Sequence, residues 1–325
     1  MSLAEEPDFV LPFRIEGQNV NGRIVRLNNL AGEVLGRHDY PEPVSRLLAE
    51  TLVLTAMLGS MLKFDGRFIF QIQGNGPMSM MMADYSIGGA LRGCAQYDAD
   101  SLSALVKQAG ASTALFGDKG HIALTVDQGH EMERYQGIVP LEGTTLAEAA
   151  LGYFERSEQI ATRLKLAAAP LLLPGGRTEW RAGGILLQQE GAEGGFSQDN
   201  EGESPSAMSP AQAEDDWNRL CMLLDTTEDT ELLDQELSAE ALAYRLFHED
   251  GVRAFTHRPM HFACPCSRER VLNMLVSLPS DDSDDLQARA EIEVRCEFCN
   301  ELYSLAPEEV AAWRAQHDSA PSVSK

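Results

Sequence analysis

The chain has 325 residues, 44% of them apolar, and a formal net charge of −24. That length holds one large domain or two to three smaller ones, with enough apolar residues for a sizeable core. So acidic a surface repels phosphate backbones, which excludes nucleic acid as the favoured partner, and it keeps a protein in solution.

In chain order, the start "MSLAEEPDFVLPFRIEG" is acidic and has no apolar core of a signal peptide. Residues 10 to 30 alternate polar and apolar and predict strands, followed by a turn at Gly32. "HDYPEPVSRLLAETLVLTAMLGSMLKF" is the clearest helix, with Pro41 and Pro43 at its entrance, where a missing N–H costs nothing. From Leu52 to Leu62 it is apolar all round, the mark of a helix at the centre of a core. This run is shorter than the roughly 20 residues that span a bilayer, and Arg46, Glu50 and Lys63 bracket it. We therefore expect a soluble, cytoplasmic protein with no membrane partner.

"GRFIFQIQGNGPMSMMMADY" predicts a hairpin with Phe68, Phe70 and Ile72 on its buried face and methionines filling core gaps. "GALRGCAQYD" and "GHIALTVDQG" read as further strands. "LEGTTLAEAALGYFERSEQIATRLKLAA" contains an amphipathic helix capped by Thr144 or Thr145, with Glu148 placed for a capping box. "WRAGGILLQQ" closes the series as an apolar strand. Strands and helices that do not alternate regularly predict an α+β fold, with a core domain over residues 8–189.

The composition then changes. Residues 190–210 are acidic, Gly- and Ser-rich and without a basic residue, which predicts a flexible linker. Residues 211–250 carry short helical patterns around Trp217, Leu220, Leu223, Leu224, Leu232 and Leu233. Helices this short need a surface to pack on. Residues 251–316 form a small domain holding four cysteines, and residues 317–325 read as a disordered tail.

Those cysteines are Cys264-Pro-Cys266 and, 29 residues on, Cys296-x-x-Cys299. Two thiolate pairs from separate segments can complete the tetrahedron that zinc prefers, and a domain of about 60 residues needs such a staple. One zinc held by Cys264, Cys266, Cys296 and Cys299 is therefore expected. A thioredoxin-like redox motif would need a strand-to-helix setting that "EVRCEFCNELYS" lacks. A nucleic-acid-binding zinc ribbon would need a basic face. His257 and His261 lie close to the first pair but are left as structural, because four thiolates already suffice. Cys94 and Cys221 have no partner nearby in sequence and read as small buried apolar residues. No phosphate loop, G-x-S-x-G or HExxH is present, so no enzymatic site is expected.

The ordered stretches "GRIVRL", "HDYPEPVSRLLAE", "LKFDGRFIFQIQGNGP", "LRGCAQ", "YQGIVPLEG", "YFERSEQIATRL", "AGGILLQ" and the C-x-C…C-x-x-C pair together resemble the heat-shock protein 33 family over nearly the whole chain. The resemblance implies a redox-regulated, ATP-independent holdase chaperone of the bacterial cytoplasm. It implies zinc on the four cysteines in the reduced, inactive state. It further implies that hypochlorous acid, or peroxide with mild unfolding, forms disulfides Cys264–Cys266 and Cys296–Cys299, with loss of zinc, loosening of the linker helices, homodimer formation and capture of unfolding client proteins. Losing the metal is then expected to unfold the cysteine domain and deprive the 211–250 helices of their packing surface, freeing Trp217, Leu220, Leu223, Leu224, Leu232 and Leu233 for clients. A constitutive zinc-stapled binding module without a switch is the alternative. Two features depart from the family pattern: a longer, more acidic segment after "GGILLQ", and Pro265 between the first two cysteines, which fixes a backbone angle.

Overall fold

The computed structural model describes residues 7–62, 66–106, 113–128, 134–172, 176, 178–190, 210–278 and 290–318. The expected acidic linker over 191–209, the acidic break after Leu278 and the tail from residue 319 lie outside the described residues. The chain forms two compact units, Met1–Phe262 and Ala263–Lys325.

The first unit is built on two sheets and one central helix. Strands β1 (Phe9–Ile15) and β2 (Val20–Leu27) form an antiparallel pair, and a short helix α1 (Leu30–Leu35) follows. The turn expected at Gly32 is thus inside a helical turn, whose Leu30, Ala31, Val34 and Leu35 are all buried. Helix α2 (Glu42–Gly59) is the core helix the sequence foretold: Pro41 caps it, and Leu47, Leu48, Leu52, Val53, Leu54, Ala56 and Met57 are almost wholly buried.

Strands β3 (Arg67–Gln73), β4 (Met78–Ser86) and β5 (Ala90–Tyr97) make the predicted hairpin and its neighbour. Helix α3 (Ala99–Val106) leads on to β6 (His121–Asp127) and an edge strand, β7 (Tyr135–Pro140). Of the methionines of β4, Met78 and Met81 are buried in the core, whereas Met80 and Met82 are only half-buried. Helix α4 (Leu146–Tyr153) has the expected capping box: the Thr145 hydroxyl accepts from the Glu148 amide at 3.2 Å, and the Glu148 carboxylate accepts from the Thr145 amide. Strands β8 (Thr162–Leu172) and β9 (Thr178–Gln189) pair along their whole length.

The rest of this unit comes from the segment read as linker and as the start of the cysteine domain. Helices α5 (Pro210–Asp225), α6 (Asp229–Leu233) and α7 (Ala239–Phe247) are followed by three short strands, β10 (Val252–Ala254), β11 (Arg258–Pro259) and β12 (His261–Phe262). Strands β10 and β11 pair with β1, and β12 runs parallel to β5. Residues 252–262 therefore belong to the first unit. The first sheet runs β10-β1-β2-β9-β8 with β11 also on β1, and the second runs β12-β5-β4-β3-β6-β7.

Helix α2 packs against both sheets. Val10, Val25, Leu27, Ala182 and Leu186 face it from the first sheet, and Phe68, Phe70, Ile72, Met81 and Leu124 from the second. The first sheet is buried on its other face too. Phe9, Leu11, Phe13, Ile15, Ile24, Ile185 and Leu187 pack there against Leu220, Leu224, Leu232, Leu242, Leu246 and Phe247 of α5, α6 and α7. Period-2 alternation sends successive residues to opposite faces, so strands buried on both read as nearly continuous apolar runs.

The helices of residues 211–250 thus find their packing surface on this sheet, which corrects the expectation that the cysteine domain supplies it. The amphipathic pattern demands a surface but does not say which one.

The second unit holds α8 (Arg268–Val276), the hairpin β13 (Ile292–Arg295) and β14 (Leu302–Leu305), and α9 (Pro307–Asp318). Its buried cluster is small: Val271, Leu272, Leu275, Ile292, Leu305 and Val310.

Candidate metal centre

The second unit brings the two cysteine pairs together from opposite ends of its core. Cys264 and Cys266 flank Pro265 just before α8, whose start is pinned by Ser267: its hydroxyl accepts from the Arg270 amide at 3.3 Å. Cys296 and Cys299 lie on the tight turn between β13 and β14. The Cys296 amide donates to the Glu301 carbonyl at 2.9 Å, and the Asn300 amide to the Cys296 carbonyl at 2.8 Å. Asn300 takes a positive φ of 61°, a conformation that asparagine tolerates better than most residues. The Arg295 guanidinium donates to the Asn300 side-chain oxygen at 3.1 Å and steadies the turn. Arg268 at the start of α8 forks onto Glu309 of α9 at 2.7 and 2.5 Å, closing the unit around its core.

The four sulfurs lie within 4.8 Å of one another. Cys264 Sγ is 3.7 Å from Cys296 Sγ, and Cys266 Sγ is 3.2 Å from Cys299 Sγ. A tetrahedron with metal–sulfur bonds of about 2.3 Å has edges of about 3.8 Å, so the donor set fits a four-thiolate metal site. All four cysteines are half-buried. Burial pushes the Cys266 and Cys299 thiols up, and neighbouring thiols add to it. A divalent cation at the centre inverts that preference, because a coordinating thiol is deprotonated outright. Four soft thiolates select among metals in favour of zinc, Cu(I) or iron–sulfur chemistry.

The two histidines near the first pair are placed in the first unit. His257 stacks on Phe9 with ring centroids 4.0 Å apart, and its Nε2 lies 2.6 Å from Glu240 Oε1 on α7. His261 sits on β12, opposite Ala90. Cys94 is buried in β5, and Cys221 is half-buried on α5, where burial pushes its thiol up to about 11.

Trp217, Leu220, Leu223, Leu224, Leu232 and Leu233 all pack against the outer face of the first sheet. Leu220, Leu224 and Leu232 are fully buried there, and Trp217, Leu223 and Leu233 partly so. Sequence reasoning missed the polar clasp that holds them. Arg26, buried on β2, donates to the backbone carbonyls of Glu231 (2.8 Å), Asp234 (3.0 Å), Leu237 (3.2 Å) and Leu232. Arg163 of β8 forks onto Asp225 at 2.8 and 2.6 Å, and Lys165 donates to the Thr227 carbonyl. Gly183 of β9 has no Cβ where one would lie 2.4 Å from the Leu232 carbonyl, so only glycine allows this approach. The one signal in sequence was a run of basic residues on strands that face an acidic segment.

A family model described as "Hsp33 protein" matches residues 8–306. The chain is 40% identical over 304 residues to a "33 kDa chaperonin" of Caulobacter vibrioides, covering 92% of this chain and 95% of that protein. It is 36% identical over 322 residues to a "33 kDa chaperonin" of Ectopseudomonas mendocina, covering 98% and 99%. Among solved structures, the 33 kDa chaperonin (heat shock protein 33 homolog) of Thermotoga maritima superposes with a TM-score of 0.73 at 20% identity, over 97% of this chain and 100% of that one.

Proposed function

The chain belongs to the Hsp33 family and is a chaperone of that family, and from that premise we propose that it is a redox-regulated, ATP-independent holdase of the cytoplasm. The observation that carries this reading is the cluster of four cysteine sulfurs within 4.8 Å, in a unit whose own core is six buried residues. Zinc on Cys264, Cys266, Cys296 and Cys299 supplies folding free energy to that unit in the reduced state. Structural zinc sites contribute on the order of 10–16 kcal/mol, more than the net stability of a small domain.

Oxidation converts the four thiolates to disulfides Cys264–Cys266 and Cys296–Cys299. Each disulfide forms by loss of two electrons to one equivalent of oxidant; peroxide is reduced to water, and hypochlorous acid to chloride and water. The donor set is gone, and the unit loses its staple. Cys264 follows β12 after one residue, so a loosened second unit pulls directly on β10, β11 and β12, which have only three, two and two residues. Through the contact of His257 with Glu240 the same segment reaches α7. Release of α5, α6 and α7 uncovers Phe9, Leu11, Phe13, Ile15, Ile24, Ile185 and Leu187, together with the helices' own apolar residues, for unfolding clients. The oxidised protein works as a homodimer, and it binds clients without turning them over.

The test is light scattering of an unfolding client, without ATP, beside metal-loaded reduced protein and beside oxidised protein. Suppression by the oxidised form alone is expected. Equal suppression by both would leave a chaperone with a constitutive, metal-stapled unit and no switch.

A further inference from the structure

The chain carries nearly two acidic residues for every basic one, with 50 Asp and Glu against 26 Lys and Arg. In such a chain an arginine without a carboxylate is unusual, and two side by side need a reason. Arg23 and Arg258 are such a pair. Arg23 follows the alternation of β2 onto the same face as Val25 and Leu27, towards α2 and the second sheet. Arg258 sits on β11 opposite Val10, another residue of that inner face.

Both lie where α2 ends. Arg258 donates to the Ser60 carbonyl at 2.6 Å, and Tyr85 of β4 closes over Gly59, leaving no room there for a Cβ. Among the described residues neither arginine meets a carboxylate. The Nε of Arg23 is buried and has no hydrogen-bond partner. Burial first, and then the charge of Arg258, pull the Arg23 guanidinium down to about 10. Tyr85 is 5% exposed, and Arg23 and Arg258 are the charges beside it.

The carbonyl at the end of α2 accounts for Arg258, since a cation at a helix C-terminus is favourable. It does not account for Arg23. A buried guanidinium left without a partner costs several kcal/mol in desolvation, and packing alone would be served better by an apolar side chain. Arg258 itself is exposed, so the pair opens to solvent on its side.

We propose that Arg23, Arg258 and the Tyr85 hydroxyl form a binding site for a small oxyanion of the phosphate type. Two planar forks of donors match the several oxygens of a tetrahedral anion, and two cations match its double charge. A phenol hydroxyl adds a further donor. A carboxylate brings one charge and two oxygens and would leave part of the donor set unused. The chain's overall charge repels anions, so this is a site of local geometry and not of long-range attraction.

The experiment is calorimetric titration of inorganic phosphate into the full-length reduced protein at constant ionic strength, with acetate as a parallel arm. Saturable binding of one phosphate per chain is expected, weakened at least about tenfold in Arg23→Met and in Arg258→Met, since each removes a charge-assisted pair. In phosphate-free buffer Arg23→Met is also expected to melt higher than the parent, because it removes a buried cation without a partner. That second reading separates a binding residue from a structural one, for which the substitution would lower the melting temperature. Absence of saturable binding, equal binding by both variants, or acetate binding as tightly as phosphate would each overturn the proposal. None of these readings involves client or oxidant, so the result stands apart from the chaperone switch.

Discussion

Single residues set several of the constraints here, and Glu50 is one that the sequence pattern hides. It sits on α2, the helix buried between the sheets, and burial pushes its carboxyl up to about 7; Asp229 of α6 adds to the rise, and Arg46 opposes it. A carboxyl whose folded pKa lies above its unfolded value of 4.5 favours the native state while protonated. Its ionisation penalty therefore grows as pH rises from about 4.5 to about 7 and stays constant above. Linkage sets the size at about 3 kcal/mol once both states are ionised. Glu50→Gln is expected to raise the thermal midpoint of the first unit at pH 8 and to change it little at pH 4.5. Calorimetric scans of parent and variant across that range check the sign; a variant equally or less stable at pH 8 would show that the charge is compensated.

At the scale of elements, what was legible from sequence was whatever is written locally. The Pro-led, all-apolar α2, the Gly-turned β3–β4 hairpin and the Thr145–Glu148 capping box each declare themselves within a few residues. Strand β8 does not. Its "TRLKLAAAPLL" carries good helix formers, and only its eleven-residue pairing with β9 makes it a strand. Strands β7, β10, β11, β12 and β14 are short and owe their conformation to distant partners. The metal centre was legible because thiolate spacing is a chemical signature that needs no tertiary information. The clasp over α6 was not, because its acceptors are backbone carbonyls, which every residue carries.

That clasp makes a sharp expectation. Arg26→Met keeps the apolar length of the side chain but leaves the carbonyls of Glu231, Leu232, Asp234 and Leu237 without their donor. Hydrogen bonds from a charged donor contribute about 1.5–3 kcal/mol each, with strong non-additivity. The α6–α7 segment should then exchange its amides faster than the sheet beneath it, and the reduced protein should bind a hydrophobic dye. Unchanged amide protection over residues 229–247 would mean that apolar packing alone holds the helices down.

For the whole molecule, the two units differ in what stabilises them. The first buries a helix between two sheets and a second layer of helices outside one of them, so its stability rests on apolar area. The second has six buried side chains and four converging thiols. Metal removal should therefore act on one unit and largely spare the other. With a strong chelator under reducing conditions, or in Cys299→Ser, limited proteolysis is expected to cut within residues 263–318 while a fragment close to the first unit survives. If α5, α6 and α7 depended directly on the second unit for packing, they would become protease-sensitive at the same metal concentration. Their burial on β1, β2 and β9 predicts instead a second, later step, reached only when β10, β11 and β12 are drawn away from β1 and β5. Two separable steps in a chelator titration, read by cleavage in 263–318 and then in 210–247, would place the coupling in those few strand residues. A single step would place it elsewhere in the chain.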